Sequence, residues 1–174
     1  GDTKERFQAF FDFPDAALVA ASPELYLHID TDRRVHSEPI KGTAPRGDDP
    51  TTDAIHAAEL ADSAKERAEN IMIVDLVRND LARVSVPGGV RVDRLCEVQA
   101  HPRVHQLVST VSAPLAAGRG LADTLRASFP AGSMTGAPKS SAMTIIADRE
   151  PRARGQYAGA YGVLTPGGTA TLAM

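Results

Sequence analysis

The chain has 174 residues, 43% hydrophobic and 24% charged, which suits one domain with a sizeable core. A formal charge of −3 and the lack of Trp exclude the bulk positive field and stacking platform that a nucleic-acid binder needs. No apolar run reaches the roughly 18 residues of a membrane span. Gly1–Glu5 lacks the apolar stretch of a secretory signal, and the single Cys96 has no internal disulfide partner, so a cytoplasmic location is expected.

Ala17–Ala20 and Leu25–Ile29 are short apolar or alternating runs broken at Ser22-Pro23, which predicts two strands meeting at a bend. Thr31–Arg34 is a polar turn, and Val35 to Ile40 follows as a third strand. Ala44 to Thr52, with its Pro, Gly and Asp, predicts a loop. Thr52 or Asp53 offers an N-cap to a helical stretch, Ala54 to Val84, free of Pro and Gly: one long helix or two end to end. Within it Glu69, Met72, Ile73, Leu76 and Asp80 recur at helical spacing. Pro87-Gly88-Gly89 breaks it.

Val90, Val92 and Leu95 lead into a strand, and the β-branched Leu107 to Val111 predicts another, short one. Leu121 to Ser128 predicts a short helix, and a second follows Pro138 to about Asp148. Tyr157 to Met174 predicts a hairpin around Pro166-Gly167-Gly168. Strands and helices in separate groups predict an α+β fold. The end at Thr171-Leu172-Ala173-Met174, inside a strand-like stretch, predicts a fragment.

Five segments carry candidate chemistry. In Pro39-Ile40-Lys41-Gly42-Thr43 the glycine permits close backbone approach to a ligand. Lys41 is either a solvated strand-end lysine or a desolvated amine poised as nucleophile. Glu66 and Glu69 project from one helix face; they form either an exposed charged surface or a carboxylate pair of the kind Mg²⁺ takes. Arg78-Asn79-Asp80 reads as structural, fixing neighbouring loops. His105 is either a satisfied structural donor or a group that bonds substrate or shuttles a proton. Gly132-Ser133-Met134-Thr135-Gly136 precedes a helix start, where backbone amides favour an anion. It is not a P-loop, because three residues rather than four separate the glycines and Lys139 does not directly follow the second.

In their order along the chain these motifs resemble the chorismate-binding enzymes. Ser22-Pro23-Glu24, then Pro39 to Thr43 with Arg46, then Ala68-Glu69-Asn70 and Met72-Ile73-Val74-Asp75-Leu76-Val77-Arg78-Asn79-Asp80-Leu81 carry the resemblance. His105 to Ser109, Gly132 to Lys139 and Arg154 to Gly159 extend it over Phe13 to Met174. The resemblance implies the anthranilate synthase component I-like fold, antiparallel sheets in a sandwich flanked by helices, with residues 1–174 as the central portion of its catalytic domain. It implies chorismate as substrate and Mg²⁺ as cofactor. A lysine at position 41, where anthranilate and salicylate synthases have Ala, implies the aminodeoxychorismate synthase reaction, a step towards p-aminobenzoate and folate, with ammonia from a glutamine amidotransferase subunit or fused domain.

By the same resemblance Lys41 is the nucleophile and Glu24 its acid–base partner. Glu69 is a Mg²⁺ ligand, with Glu66 binding through water. Gly42, Thr43, His105, Ser133 and Tyr157 are substrate-pocket positions. Leu25 stands where many relatives have Arg. The family's later carboxylate-binding and metal-binding segments have no counterpart before Met174, so the expectation is a piece that is inactive alone and prone to self-association. The alternatives are anthranilate synthase component I and a non-catalytic remnant acting as a binding module.

Overall fold

The computed structural model describes residues 6–174; the reading of Gly1–Glu5 lies outside them. Strands β1 (Phe7–Asp12) and β2 (Ala17–Ser22) form an antiparallel ribbon with Phe10 opposite Val19. The remaining strands form one seven-stranded antiparallel sheet: β3 (Leu25–Ile29), β4 (Arg34–Glu38), β5 (Ile40–Pro45), β6 (Arg91–Ala100), β7 (Val104–Pro114), β8 (Tyr161–Leu164) and β9 (Ala170–Ala173). Among the described residues there are four α-helices: α1 (Pro50–Asp62), α2 (Ala64–Ala82), α3 (Leu121–Ser128) and α4 (Lys139–Arg149). This is the expected α+β architecture. Among the described residues no helix is long and apolar enough to cross a membrane.

The long β7 organises the sheet. Its residues 111–114 pair with β4 and residues 104–108 with β5, so those two strands share one edge, while β6 runs along the other. The expected single strand Val35–Ile40 is thus interrupted at Pro39, which has no N–H to give a ladder; its carbonyl still accepts from Ser109 at 3.1 Å. The expected break at Ser22-Pro23 is more than a bend, because β2 belongs to the ribbon and β3 to the sheet. Strand β7 itself is twice as long as Leu107–Val111, since its flanking polar residues find partners on both edges.

The first helix begins earlier than Thr52 or Asp53. Asp49 is the N-cap, its Oδ1 accepting from the amides of Thr51 at 2.8 Å and Thr52 at 3.1 Å. Pro50 occupies the first turn, where a missing N–H costs nothing. Of the two helical alternatives, the structure has two helices, divided at Ser63, whose Oγ caps α2 by accepting from Glu66 N at 3.3 Å. The buried face of α2 carries Asn70, Ile73, Val74, Asp80 and Leu81, which corrects the stripe read from sequence: Met72 and Glu69 lie off it. Val74 and Leu81 pack on Leu27, Val35 and Val111 of the sheet as the main core. Leu60 of α1 joins Cys96 and Leu107 in a second, smaller cluster. Helix α2 is thereby clamped against β5 and β7.

Candidate active site

Glu24 lies in the crossing from the ribbon to the sheet. Its amide donates to Ser22 Oγ at 3.1 Å and its carbonyl accepts from Met174 N at 3.4 Å, so the backbone is held on both sides. Burial pushes the Glu24 carboxyl above its ordinary range, opposed by the Ser133 hydroxyl, the Lys41 charge and the Ile40 amide. The Ser133 hydroxyl is buried and makes no well-formed hydrogen bond; it leans on Glu24 through a loose contact. The structure therefore brings Glu24, Lys41 and Ser133 together from three separate stretches of chain.

Strand β5 is irregular at the lysine. Its pairing with β7 slips between Ile40 and Thr43, so Lys41 and Gly42 share one bulged position. Gly42 has φ +90°, and a Cβ there would lie 3.0 Å from Glu66 Cβ and 3.1 Å from Glu66 Oε2. Glycine is needed twice over, for the backbone angle and for the approach of α2. Gly42→Ala is expected to strain the backbone by about 1–2 kcal/mol and to lever α2 off β5, lowering the unfolding midpoint. An unchanged midpoint would show that the approach tolerates a methyl group.

Gly42 thus places Glu66 beside the lysine segment. Lys65 Nζ stands 3.5 Å from Glu66 Oε1 and 3.8 Å from Glu69 Oε1, so the two carboxylates already share one cation. Their side chains are 26% and 44% exposed. Two carboxylates with open space around them fit Mg²⁺, which fills its octahedron with water and substrate oxygens. No group of three or more metal-ligating side chains occurs among the described residues, so this pair by itself would supply only part of a metal's ligands.

The other expected positions divide. Tyr157, 71% exposed, lines an open groove of about 890 Å³ with Glu24, Ser22, Pro23 and Met134. Ser133 and Glu24 also line a small cavity of about 20 Å³. Lys41, Thr43, Glu66 and Glu69 line neither space; they belong to β5 and α2, which meet in a shelf where Gly42 lies against Glu66.

His105, expected in the substrate pocket, is bonded to α1 and lines neither of the spaces bordered by Glu24. It is 4% exposed, and its Nε2 is 2.8 Å from Asp53 Oδ1. Asp53 in turn accepts from Arg46 Nε and a terminal nitrogen, both at 2.7 Å, and from Gly47 N at 2.9 Å. The Arg46 bonds, foremost, hold the Asp53 carboxyl well below its usual range. A buried imidazole needs a charged or polar partner, and α1 supplies one on the helix side of β7. The residue facing Thr43 across the strands is instead Gln106, whose Oε1 is buried without a partner. Alternation along a strand was the one signal that separates these two neighbours.

The Gly132–Gly136 segment also differs from expectation. Gly132–Met134 is a 3₁₀ turn, and the amides of Met134, Thr135 and Gly136 are spent on Ala131 and Gly132 carbonyls. They do not form an anion cradle. Asp80, expected to be structural, takes that role: its Oδ2 accepts from Lys139 Nζ at 2.5 Å. Asn70 is the residue that sequence reasoning passed over. Wholly buried, it donates to Leu107 O at 2.9 Å and accepts from Ser109 Oγ at 2.5 Å, locking α2 to β7 one residue after Glu69.

A family profile described as chorismate binding enzyme matches residues 2–174. Over 159 residues the chain is 48% identical to aminodeoxychorismate synthase component 1 of Salmonella typhimurium, a match covering 91% of this chain and 35% of that protein. It is equally, 48%, identical over 157 residues to anthranilate synthase component 1 of Streptomyces coelicolor, covering 90% of this chain and 30% of the relative. Anthranilate synthase component I from Streptococcus pneumoniae superposes with a TM-score of 0.87 at 36% identity, over 98% of this chain and 37% of the other. The chain spans about a third of the length of these relatives. On this evidence it belongs to the chorismate binding enzyme family.

Proposed function

We propose that this chain carries the nucleophile and the acid of a site that aminates chorismate at C4, the aminodeoxychorismate synthase reaction. Ammonia comes from a glutamine amidotransferase partner. The supporting observation is the neighbourhood of Glu24: burial lifts its carboxyl, and the Lys41 charge and the Ser133 hydroxyl both act on it. Anthranilate synthases match the chain equally well overall, so identity alone does not choose between the two reactions. An amine at position 41 favours C4 amination.

In this reading Lys41, as the free amine, attacks ring C2 while the C4 hydroxyl departs. Glu24 gives its proton to that hydroxyl, which leaves as water. Ammonia then attacks C4, and the C2–lysine bond breaks to return the amine. The balance is chorismate plus ammonia to 4-amino-4-deoxychorismate plus water. Glu66 and Glu69 would hold Mg²⁺, which when bound supplies charge neutralisation and orientation for the substrate carboxylate. Gly42 leaves room for that approach, Thr43 offers a hydroxyl at the edge of the shelf, and Tyr157 borders the groove that opens onto Glu24.

The full-length protein with chorismate, an ammonium salt and Mg²⁺ is expected to form 4-amino-4-deoxychorismate, read by mass and chromatography. Formation of anthranilate instead would establish the second reaction and overturn this one.

Glu24 carries its own prediction. A general acid must start protonated, so turnover is expected to fall as pH rises through the elevated Glu24 value. Glu24→Gln should lose roughly 10²- to 10⁴-fold in kcat. Stability moves the other way. A carboxyl whose folded value exceeds its unfolded one binds more protons in the native state, so its contribution is present below the unfolded value and lost as pH rises through the folded one. Glu24→Gln is therefore expected to unfold no more easily than the wild type at neutral pH. A clear drop in its unfolding midpoint there would contradict the buried, proton-retaining carboxyl.

A further inference from the structure

Lys139 opens α4, shortly after the segment that carries Ser133. Its Nζ donates to Asp80 Oδ2 at 2.5 Å and to the Ser128 carbonyl at 2.6 Å, with only 16% of its side chain exposed and 6% of that of Asp80. Ser128 is built in as well: its Oγ donates to Thr124 O at 2.8 Å and lies 2.7 Å from Tyr26 OH. One ammonium thus joins α2, the end of α3 and the start of α4. Burial lifts the Asp80 carboxyl, with Lys139 pulling it back. Burial, and then the Asp80 charge, push the Tyr26 hydroxyl up to about 12 against the bond from Ser128.

The same network borders the acid. Glu24, Tyr26, Ser37, Asp80, Ser128 and Ser133 all line the cavity of about 20 Å³, a space the size of one water molecule. The titratable groups around Glu24 are therefore Lys41 from β5, Asp80 from α2 and Tyr26 from β3, with Lys139 neutralising Asp80. Ser133 has no well-formed bond of its own, so its place must be inherited from the ends of its segment. At one end Gly132 lies so close to α2 that a Cβ would come within 2.6 Å of Leu76 Cδ2. Arg154 holds the Met134 carbonyl from outside at 2.9 Å. At the other end the anchor is Lys139, the buried and charged one.

We propose that Lys139 is a positioning residue for the Glu24 acid: pinned between Asp80 and the Ser128 carbonyl, it seats the Gly132–Gly136 segment so that the Ser133 hydroxyl stands against Glu24. The proposal rests on the reading of Glu24 as the acid. Lys139 touches no reacting atom; it acts through Ser133.

The test is a double-mutant cycle in the full-length protein with Lys139→Met, Ser133→Ala and the pair, with kcat and KM for chorismate measured separately. Each single change is expected to lower kcat roughly 10- to 100-fold, the cost of a misplacement of about an ångström, with KM little changed. The double variant should be no worse than the worse single one, because both remove the same contact. Lys139→Arg should restore most of the loss. Effects that multiply, as two independent structural lesions would, overturn the proposal. Should Lys139→Met fail to fold, the cycle is run with the uncharged, hydrogen-bonding pair Asp80→Asn with Lys139→Gln. Amide hydrogen exchange of residues 132–136 is the readout independent of turnover. It should speed up in the Lys139 variant while α2 and β7 stay protected, and unchanged exchange overturns the clamp. A wild-type protein that leaves chorismate untouched would sink the proposed function, while the exchange measurement still decides the clamp.

Discussion

Lys41→Ala in the full-length protein is expected to lower C4 amination by about 10³-fold or more, the scale on which covalent nucleophiles act. The variant loses two things at once. It loses the amine proposed to attack C2, and it loses the charge that draws the Glu24 carboxyl downward. Lys41→Arg separates them, since a guanidinium keeps the charge but does not give up its proton. With a nucleophilic lysine, both variants should lose amination on that scale, and in the residual activity only the alanine should move the acid-dependent limb of the pH profile further upward. Substantial amination by Lys41→Arg would make position 41 an electrostatic site and remove the covalent step. A covalent adduct on Lys41, trapped from substrate and seen by peptide mass, would support the step directly.

The largest stability effect is expected at Asn70. Its amide donates to Leu107 O and its carbonyl oxygen accepts from Ser109 Oγ; Cys96 Sγ lies 3.7 Å from that same oxygen. Ser109 Oγ also accepts from Cys96 N at 2.9 Å, which holds the turn of β6 where Cys96 takes φ +53°. Asn70→Leu conserves volume but takes the partner from the buried Leu107 carbonyl and from the Ser109 O–H, which keeps only its bond from Cys96 N. At about 1–3 kcal/mol for each buried group left unsatisfied, the loss should be about 2–6 kcal/mol. Urea unfolding reads it directly, and a loss below about 0.5 kcal/mol would mean that α2 is held by its apolar contacts alone. Because Asn70 follows Glu69, the variant should also disturb the proposed Mg²⁺ site even where it still folds. The helix would then be free to turn its acidic face away from Gly42.

Acid sensitivity is expected near the other end of β7. Asp53 is held well below its ordinary range by Arg46 first and by the Gly47 amide next. A carboxyl lowered in the folded state contributes stability that is present above its unfolded value, and that contribution drains away as pH falls through the folded one. Asp53→Asn should flatten the acid side of the stability curve and leave His105 without its charged partner.

Much of the fold was legible because local rules act on contiguous residues. The Pro- and Gly-free stretch predicted α1 and α2, and Pro87-Gly88-Gly89 marked where they stop. Pro166-Gly167-Gly168 marked the last hairpin. Errors came where a competing local signal was equally good. Asp49 and Asp53 both resemble caps, and only the helix start at Pro50 shows that Asp49 is the cap and Asp53 the partner of Arg46 and His105. Met72 fits a helical stripe as well as Val74 does; the sheet's position decides which is buried. His105 and Gln106 are neighbours of comparable polarity, and the strand's alternation sends one to α1 and the other opposite Thr43.

The sequence by itself determined the family and the α+β class, because motif order and periodicity are properties of a single line of residues. Tertiary structure alone decided which polar groups meet: Glu24 with Lys41 and Ser133, Asp53 with His105, Asn70 with Ser109, Asp80 with Lys139. A buried charge or amide must find a partner somewhere, but the pattern along the chain does not say which one. That choice follows only when packing brings distant segments within hydrogen-bond reach.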